Sequence, residues 1–331
     1  MYNLENGEEG LPVYYSKILL FGEYSVIEGS MALAVPFGHF TAGLGFLNRG
    51  RYTDHNRAVR SNGLLKEYLG WLERAGGDAG LKGLIDTDAL GRDVGRGLFL
   101  ESNIPEGYGL GSSGAVVAAL YDRYAVGRIH NGAGAGGDDL LRLKKIFAAM
   151  ESFFHGTSSG LDPLNCYFRR PVMVGRDRQI SLVGIPEPDS DESLAVFLVD
   201  TGRTGKTGPL VERFLEMNRE ERFGGLVREV MIPSVNDAID ALVGGDAGKF
   251  RKALGTLSGF QLENMRDMIP DDFTGVWERG LVSGDYLLKL CGSGGGGFLL
   301  GFTGNLRETS AILRRMNMEP LPVYMNIERY G

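Results

Sequence analysis

Apolar residues occur along this chain in short continuous or alternating runs, which are separated by glycine-rich and polar stretches. Runs of this kind are typical of β-strands that are buried on one or both faces. The pattern predicts strands at residues 14–21, 32–37, 40–46, 97–104, 194–200, 298–302 and 321–327.

Other apolar residues recur three or four positions apart, as Leu65, Leu69 and Leu72 do within residues 63–75. This spacing places them on one face of an amphipathic helix. The same reasoning predicts helices at residues 115–124, 140–154, 211–214, 227–243, 246–265 and 306–316. Prolines at positions 186 and 188 indicate a boundary, so we expect an N-terminal domain of residues 1–185 and a C-terminal domain of residues 186–331.

Composition narrows the class of protein. The 331 residues include 43% hydrophobic ones, enough for a substantial core, and the net charge of −7 disfavours a nucleic-acid binder. No apolar run approaches the roughly 18 residues of a membrane span, and the acidic start does not resemble a signal peptide. The two cysteines have no metal-ligand spacing. These features favour a reduced, cytoplasmic setting.

The residues with the clearest chemical meaning lie in a glycine-rich run that precedes the predicted helix 115–124. They are Gly109, Leu110, Gly111, Ser112, Ser113 and Gly114. Glycines let a ligand approach the backbone, and the start of a helix presents unpaired N–H groups and a positive dipole end. The run therefore predicts an anion site, and the expected anion is phosphate.

Three other segments accompany this run: Lys17 and Glu23 near the first strand, a polar cluster from Glu151 to Asp162, and a second glycine run at residues 292–297. In this order they resemble the signature segments of the GHMP superfamily of small-molecule kinases (galactokinase, homoserine kinase, mevalonate kinase, phosphomevalonate kinase). The family's central motif, proline, three variable residues and Gly-Leu-Gly-Ser-Ser-Ala, is present with Gly114 in place of the alanine.

The resemblance implies an α+β, two-domain GHMP-kinase fold. Its N-terminal domain is ribosomal-S5-like and binds ATP, and its C-terminal domain is ferredoxin-like. The residues Gly109 to Gly114 match the loop that binds the ATP phosphates, and Ser113 and Glu151 match the family's Mg²⁺ ligands. Asp162 matches the catalytic aspartate, and Lys17 matches the lysine that pairs with it.

The residues alone leave other roles open. Ser113 also fits a helix N-cap, Glu151 a solvated helix face, and Asp162 a turn residue before proline. Lys17 taken by itself fits a solvated lysine.

Within the superfamily, Glu151-x-x-x-His155-Gly-x-x-Ser159-Gly-x-Asp162 resembles the mevalonate kinase branch. The expected reaction is phosphorylation of mevalonate to 5-phosphomevalonate, with ATP and Mg²⁺ as cofactors. The residues expected, on weaker grounds, to contact the acceptor are Glu23, Tyr24, His155, Ser159, Thr207, Gly292 and Ser293.

The chain also departs from that branch. Tyr24 stands where a histidine is common, and Gly205 stands where an arginine often holds the substrate carboxylate. Arg203 or Lys206 is a candidate substitute for that arginine.

The alternatives are another activity of the superfamily (a phosphomevalonate, sugar or homoserine kinase) and a catalytically inactive, metabolite-binding member. The presence of Lys17, Glu151 and Asp162 disfavours an inactive member, and Gly111 disfavours the related decarboxylases, which have alanine at this place. We expect a small-molecule substrate, no nucleic-acid or membrane partner, and a monomer or homodimer.

Overall fold

The predicted strands form two sheets in the computed structural model, which describes residues 12–47, 52–75, 79–132, 134–186, 194–205 and 207–323. The first sheet contains β1 (Val13–Phe21), β2 (Ala32–Phe46), β3 (Leu98–Ser102), β4 (Val172–Val174) and β5 (Ile180–Leu182). Its order is β1-β2-β4-β5, with β3 also paired to β2.

The second sheet contains β6 (Ala195–Asp200), β7 (Leu287–Leu290), β8 (Phe298–Thr303) and β9 (Pro320–Val323). Its order is β7-β8-β6-β9, and all three ladders are antiparallel. The apolar pattern locates β6, β8 and β9. The last part of the strand predicted at 321–327 lies outside the described residues.

The two strands predicted at residues 32–37 and 40–46 are in fact the single strand β2, so this prediction was wrong. Residues Ala32–Ala34 pair with β4, whereas residues Ala42–Phe46 pair with β3. Both ends of the segment are held in ladders, so the backbone stays extended through Gly38. The two predicted strands were separated at this glycine.

The described helices are α1 (His55–Ala75), α2 (Thr87–Gly95), α3 (Ser112–Tyr124), α4 (Gly137–His155), α5 (Leu161–Phe168), α6 (Thr207–Arg219), α7 (Glu221–Leu226), α8 (Ile232–Gly244), α9 (Ala247–Asn264), α10 (Asp271–Ser283) and α11 (Leu306–Arg314). A π-helical turn at Val227–Met231 joins α7 to α8. No helix in the described part of the chain combines the length and apolar character needed to cross a membrane.

The apolar pattern did not predict α2, α5, α7 and α10, or the short strands β4, β5 and β7. Helix α5 is buried from Pro163 to Phe168, so it lacks the polar face on which helical periodicity depends. Helix α2 buries only Leu90 and Val94, too few positions to define a period.

The chain packs into two compact units. Among the described residues, the first unit comprises the chain up to Lys17, Gly38–Pro105 and Gly111–Arg170. The second unit comprises Ile18–Phe37, Glu106–Leu110 and the chain from Pro171 onward. Large buried side chains of the first unit include Tyr68 and Phe147, and those of the second include Phe197 and Trp277. The domain division at 185/186 stays a prediction.

Candidate active site

In the first unit, Lys17 and Asp162 form an ion pair with 3.0 Å between Nζ and Oδ2. Lys17 lies in β1 with its side chain 8% exposed, whereas Asp162 lies in the first turn of α5 with 37% exposure. Burial of the lysine stem fixes the ammonium, and exposure of the carboxylate leaves an oxygen accessible. The structure therefore brings together the two residues predicted to be catalytic.

Gly111 makes room for this lysine. Its φ is +74°, and a Cβ there would lie 2.9 Å from Cγ of Lys17. An L-residue would be strained in this conformation and would also displace the lysine stem. Gly111 is the N-cap of α3, and no described side chain caps the helix, so amides at its start are available to an anion.

The other residues of the predicted phosphate loop are distributed around this helix start. Gly109 also has a positive φ, +70°, and Leu110 is buried. Ser112 is the first residue of α3. Because Gly111 is the N-cap, Ser113 lies inside the helix, and its hydroxyl does not have the N-cap role that the sequence left open.

Instead, the Ser113 hydroxyl donates a hydrogen bond to Oε1 of Glu151 on α4, at 2.7 Å. His155 Nε2 lies 3.0 Å from the same hydroxyl. The other Glu151 oxygen accepts a hydrogen bond from Ser158. Glu151 is buried, so it is not on a solvated helix face. The structure thus places the hydroxyl and carboxylate of the predicted magnesium site side by side.

Burial is the largest influence on Glu151 and raises the pKa of its carboxyl above the ordinary value. Hydrogen bonds from Ser158 and Ser113 act in the opposite direction, and the negative charge of Asp162 adds to the upward shift. A carboxylate in this position gains stabilisation from any cation that reaches it, because an opposite charge offsets the cost of desolvation.

Gly114, the departure from the family motif, lies directly against the segment that carries Asp162. A Cβ at this position would lie 2.9 Å from the carbonyl carbon of Asp162 and 2.9 Å from the nitrogen of Pro163. Helix α3 can therefore approach the start of α5 this closely only with glycine here.

A second set of predicted residues meets in the second unit. The hydroxyl of Tyr24 donates to the Ser293 carbonyl at 2.5 Å, and the Ser293 hydroxyl donates to Thr207 at 3.2 Å. The Tyr24 ring stacks on Phe214 of α6, with 4.8 Å between centroids. Gly292 precedes Ser293 in the same glycine run, with φ +75°. Tyr24, Thr207 and Ser293 thus form one hydroxyl-bearing group.

Ser159 and Glu23, two other predicted acceptor residues, have structural partners. The exposed Ser159 hydroxyl accepts from the amide of Leu161 at the start of α5. Glu23 is buried against Lys289, with 2.7 Å between Oε1 and Nζ. Burial raises the pKa of the Glu23 carboxyl, although the Lys289 ammonium opposes the shift. Contacts of these residues with an acceptor stay predictions.

Of the two candidate partners of a substrate carboxylate, Arg203 is among the described residues and Lys206 is not. The Arg203 guanidinium pairs with Asp272, with 2.5 Å between Nη2 and Oδ2. At Gly205, a Cβ would lie 2.6 Å from the carbonyl oxygen of Gly294. The arginine of the related motif does not fit at Gly205 without movement of the glycine run at 292–297.

Sequence reasoning did not single out Lys289, Gln261 or the bond from Ser158 to Glu151. A lysine within the apolar strand β7 was an available signal, because a lysine in a buried strand needs a partner. Gln261, inside α9, gave no comparable signal.

Residues 79–170 match the family model of the GHMP kinases N terminal domain. The match includes the glycine run, Glu151 and Asp162, and it does not extend to Lys17. No curated protein sequence matches the chain.

Solved structures confirm the fold. It is similar to L. major mevalonate kinase in complex with R-mevalonate, with TM-score 0.62, 17% identity and 97% of each chain covered. Streptococcus pneumoniae phosphomevalonate kinase in complex with phosphomevalonate and AMPPNP gives 0.59 and 17%, with 95% of this chain and 100% of that chain covered. Lactococcus lactis galactokinase complexed with galactose gives 0.60 and 14%, covering 95% and 94%.

The resemblance to the GHMP superfamily and the two-domain GHMP-kinase architecture are therefore confirmed. The similar structures bind different small molecules, and their identity with this chain is low, so they establish its fold and leave its acceptor open.

Proposed function

We propose that this protein is an ATP- and Mg²⁺-dependent small-molecule kinase of the cytoplasm that phosphorylates the terminal hydroxyl of mevalonate. The observation that carries the proposal is the Lys17–Asp162 pair, set against the uncapped start of α3. Phosphoryl transfer needs charge neutralisation and in-line placement more than covalent help from the protein. The Lys17 ammonium and the amides at the start of α3 support the proposal because such groups neutralise phosphate charge.

The donor set at Ser113 and Glu151 fits Mg²⁺. A hydroxyl and a carboxylate are hard oxygen ligands, and magnesium commonly takes one or two protein ligands and completes its shell with phosphate oxygens and water. The bound ion would neutralise charge on the nucleotide phosphates.

In the proposed reaction, amides at the start of α3 hold the phosphates of ATP, and Asp162 accepts the proton of the acceptor hydroxyl. The acceptor oxygen forms a bond to the γ-phosphorus as the bond to the β–γ bridging oxygen breaks, and ADP leaves. The Lys17 ammonium pairs with Asp162 and stabilises negative charge on the oxygens that move.

The test is Asp162→Asn, assayed by release of ADP with mevalonate as acceptor. Loss of a general base costs about 10²- to 10⁴-fold, so we expect kcat to fall by at least about 100-fold while the nucleotide still binds. The exposed Asp138→Asn in α4 is the matched control and should keep full activity. Unchanged turnover by Asp162→Asn would remove this residue from the mechanism.

A second acceptor class is suggested by Tyr24 and Gly205, which replace a histidine and an arginine common in the mevalonate kinase branch. The same ADP assay with phosphomevalonate, homoserine and galactose separates these candidates. Turnover of one of them without turnover of mevalonate would replace mevalonate and keep the kinase proposal. Absence of turnover with every acceptor would favour the inactive, metabolite-binding alternative.

A further inference from the structure

A fully buried ion pair lies in the second unit between Glu23, just after β1, and Lys289 in β7. The distance from Nζ to Oε1 is 2.7 Å, and the two side chains are 0% and 1% exposed. Gln261 on α9 donates to the same carboxylate oxygen at 2.7 Å. The desolvation cost of such a pair often equals or exceeds its Coulomb gain, so stability alone does not account for it.

These side chains hold the backbone of Leu290, which lies two residues before the second glycine run. Lys289 Nζ donates to the Leu290 carbonyl at 2.6 Å, and the Leu290 amide donates to Oε1 of Gln261 at 2.9 Å. Both backbone polar groups of Leu290 therefore contact side chains that meet at Glu23.

The turn that carries Glu23 also holds the glycine run at a second point. Tyr24, the next residue, donates its hydroxyl to the Ser293 carbonyl. Tyr24 has φ +61°, a backbone conformation that is strained for a residue other than glycine. The strained turn and the ion pair together fix the chain at Leu290 and at Ser293.

Glycine residues have many accessible backbone conformations, so a run with few side chains needs external contacts to hold one of them. Within 292–297, the Gly295 amide donates to the Met268 carbonyl at 2.7 Å and the Gly297 amide donates to the Arg203 carbonyl at 2.6 Å. These bonds hold the later part of the run, and the contacts of Leu290 and Ser293 hold its beginning.

We propose that Glu23, Lys289 and Gln261 are positioning residues that fix the start of the glycine run 292–297 in the conformation required for phosphoryl transfer. This inference rests on the proposed kinase function. It assigns Glu23 an action through Lys289 and Leu290, whereas the sequence suggested contact with the acceptor.

The test compares Glu23→Gln, Lys289→Met and the double variant. Each single change leaves a buried polar or charged group without its partner and should lower Tm, whereas the double variant removes both charges and should recover most of the loss. In the double variant, we still expect amides of residues 291–297 to exchange at least about tenfold faster than in the wild type, and kcat to fall about tenfold with little change in the KM for ATP.

Hydrogen exchange is measured on the protein without substrate, with amides of β8 as the internal reference, so local loosening is separated from global destabilisation. Arg314→Met removes an exposed ion pair with Glu319 and is the matched control, expected to change none of these readouts. If the double variant does not fold, Gln261→Met, which leaves the ion pair in place and removes the acceptor of the Leu290 amide, serves instead.

Recovery of Tm, exchange and kcat together in the double variant would show a purely structural pair and overturn the proposal. With Gln261→Met, unchanged exchange in 291–297 relative to β8 would do the same. If the wild type phosphorylates no acceptor, the kinase proposal fails, and the exchange data still decide whether these residues hold the glycine run.

Discussion

Gly114 shows how one missing methyl group can affect the position of Asp162, the proposed general base. Helix α3 lies so close to the start of α5 that a Cβ on Gly114 would come 3.2 Å from the Cβ of Asp162 and 2.9 Å from its carbonyl carbon. The contact is with backbone, which cannot rotate away as a flexible side chain can. The glycine and the position of Asp162 are therefore coupled.

The variant Gly114→Ala should displace Asp162 by a few tenths of an ångström. Overpacking of this kind costs about 1–3 kcal/mol, and misplacement of a reacting group lowers the rate, so we expect a lower Tm and about a tenfold fall in kcat. Thermal unfolding and the ADP assay measure both effects. Gly132→Ala, where no heavy atom lies within 4 Å of the added Cβ, is the control. Wild-type kcat in Gly114→Ala would contradict the coupling.

At the scale of elements, α2 is tied to the end of α3 by one carboxylate. Oδ2 of Asp93 accepts hydrogen bonds from Arg123 Nη2 and from the Tyr124 hydroxyl, each at 2.8 Å. Burial by itself raises the pKa of Asp93. The hydrogen bonds from Arg123 and Tyr124, with the charges of Arg123 and Arg96, outweigh burial and hold the pKa below its ordinary value.

Because the folded-state pKa of Asp93 lies below the unfolded value, its stabilisation is full above the ordinary aspartate pKa of about 4. The stabilisation is lost as pH falls through the lower folded-state pKa. Asp93→Asn should therefore lower the free energy of unfolding by about 1–2 kcal/mol at pH 7 and have a smaller effect as pH falls below about 4.

Urea unfolding of the wild type and of Asp93→Asn at a series of pH values measures this difference. Asp240→Asn, which breaks an exposed pair with Arg176, should change stability little at any pH. An Asp93→Asn effect that does not depend on pH would show that the carboxylate charge contributes nothing.

At the scale of the whole molecule, the described residues form two compact units, and each holds its own group of predicted site residues. The first holds Lys17, Asp162, Ser113 and Glu151, and the second holds the group around Tyr24. If nucleotide and Mg²⁺ bind in the first group, binding free energy adds to the stability of the fold that forms the site.

A non-hydrolysable ATP analogue with Mg²⁺, at about 100 times its Kd, should stabilise the protein by about 2.7 kcal/mol. A measurable rise in Tm should follow. Glu151→Gln should reduce the rise obtained with Mg²⁺ and leave the response to analogue in EDTA unchanged, because the substitution removes a metal ligand and no phosphate contact. An equal rise for Glu151→Gln and the wild type with Mg²⁺ would exclude Glu151 as a ligand.

The local pattern of apolar residues and glycines determined much of the secondary structure of this protein. The alternation of apolar residues located most strands, and the glycine run before an apolar stretch located the start of α3, because strand pairing, helix amphipathicity and glycine's freedom act over a few residues. The family resemblance of these motifs predicted the pairing of Lys17 with Asp162, which the structure places 3.0 Å apart.

Other features were decided only by tertiary structure. The continuity of β2 depends on two partner strands distant in sequence, and the burial of Glu23 depends on Lys289 and Gln261, which lie on elements far along the chain. Glycine is required at position 114 because the backbone of α5 lies too close for a Cβ. Each depends on which surfaces pack together, and a sequence pattern specifies the face of an element without specifying its neighbour.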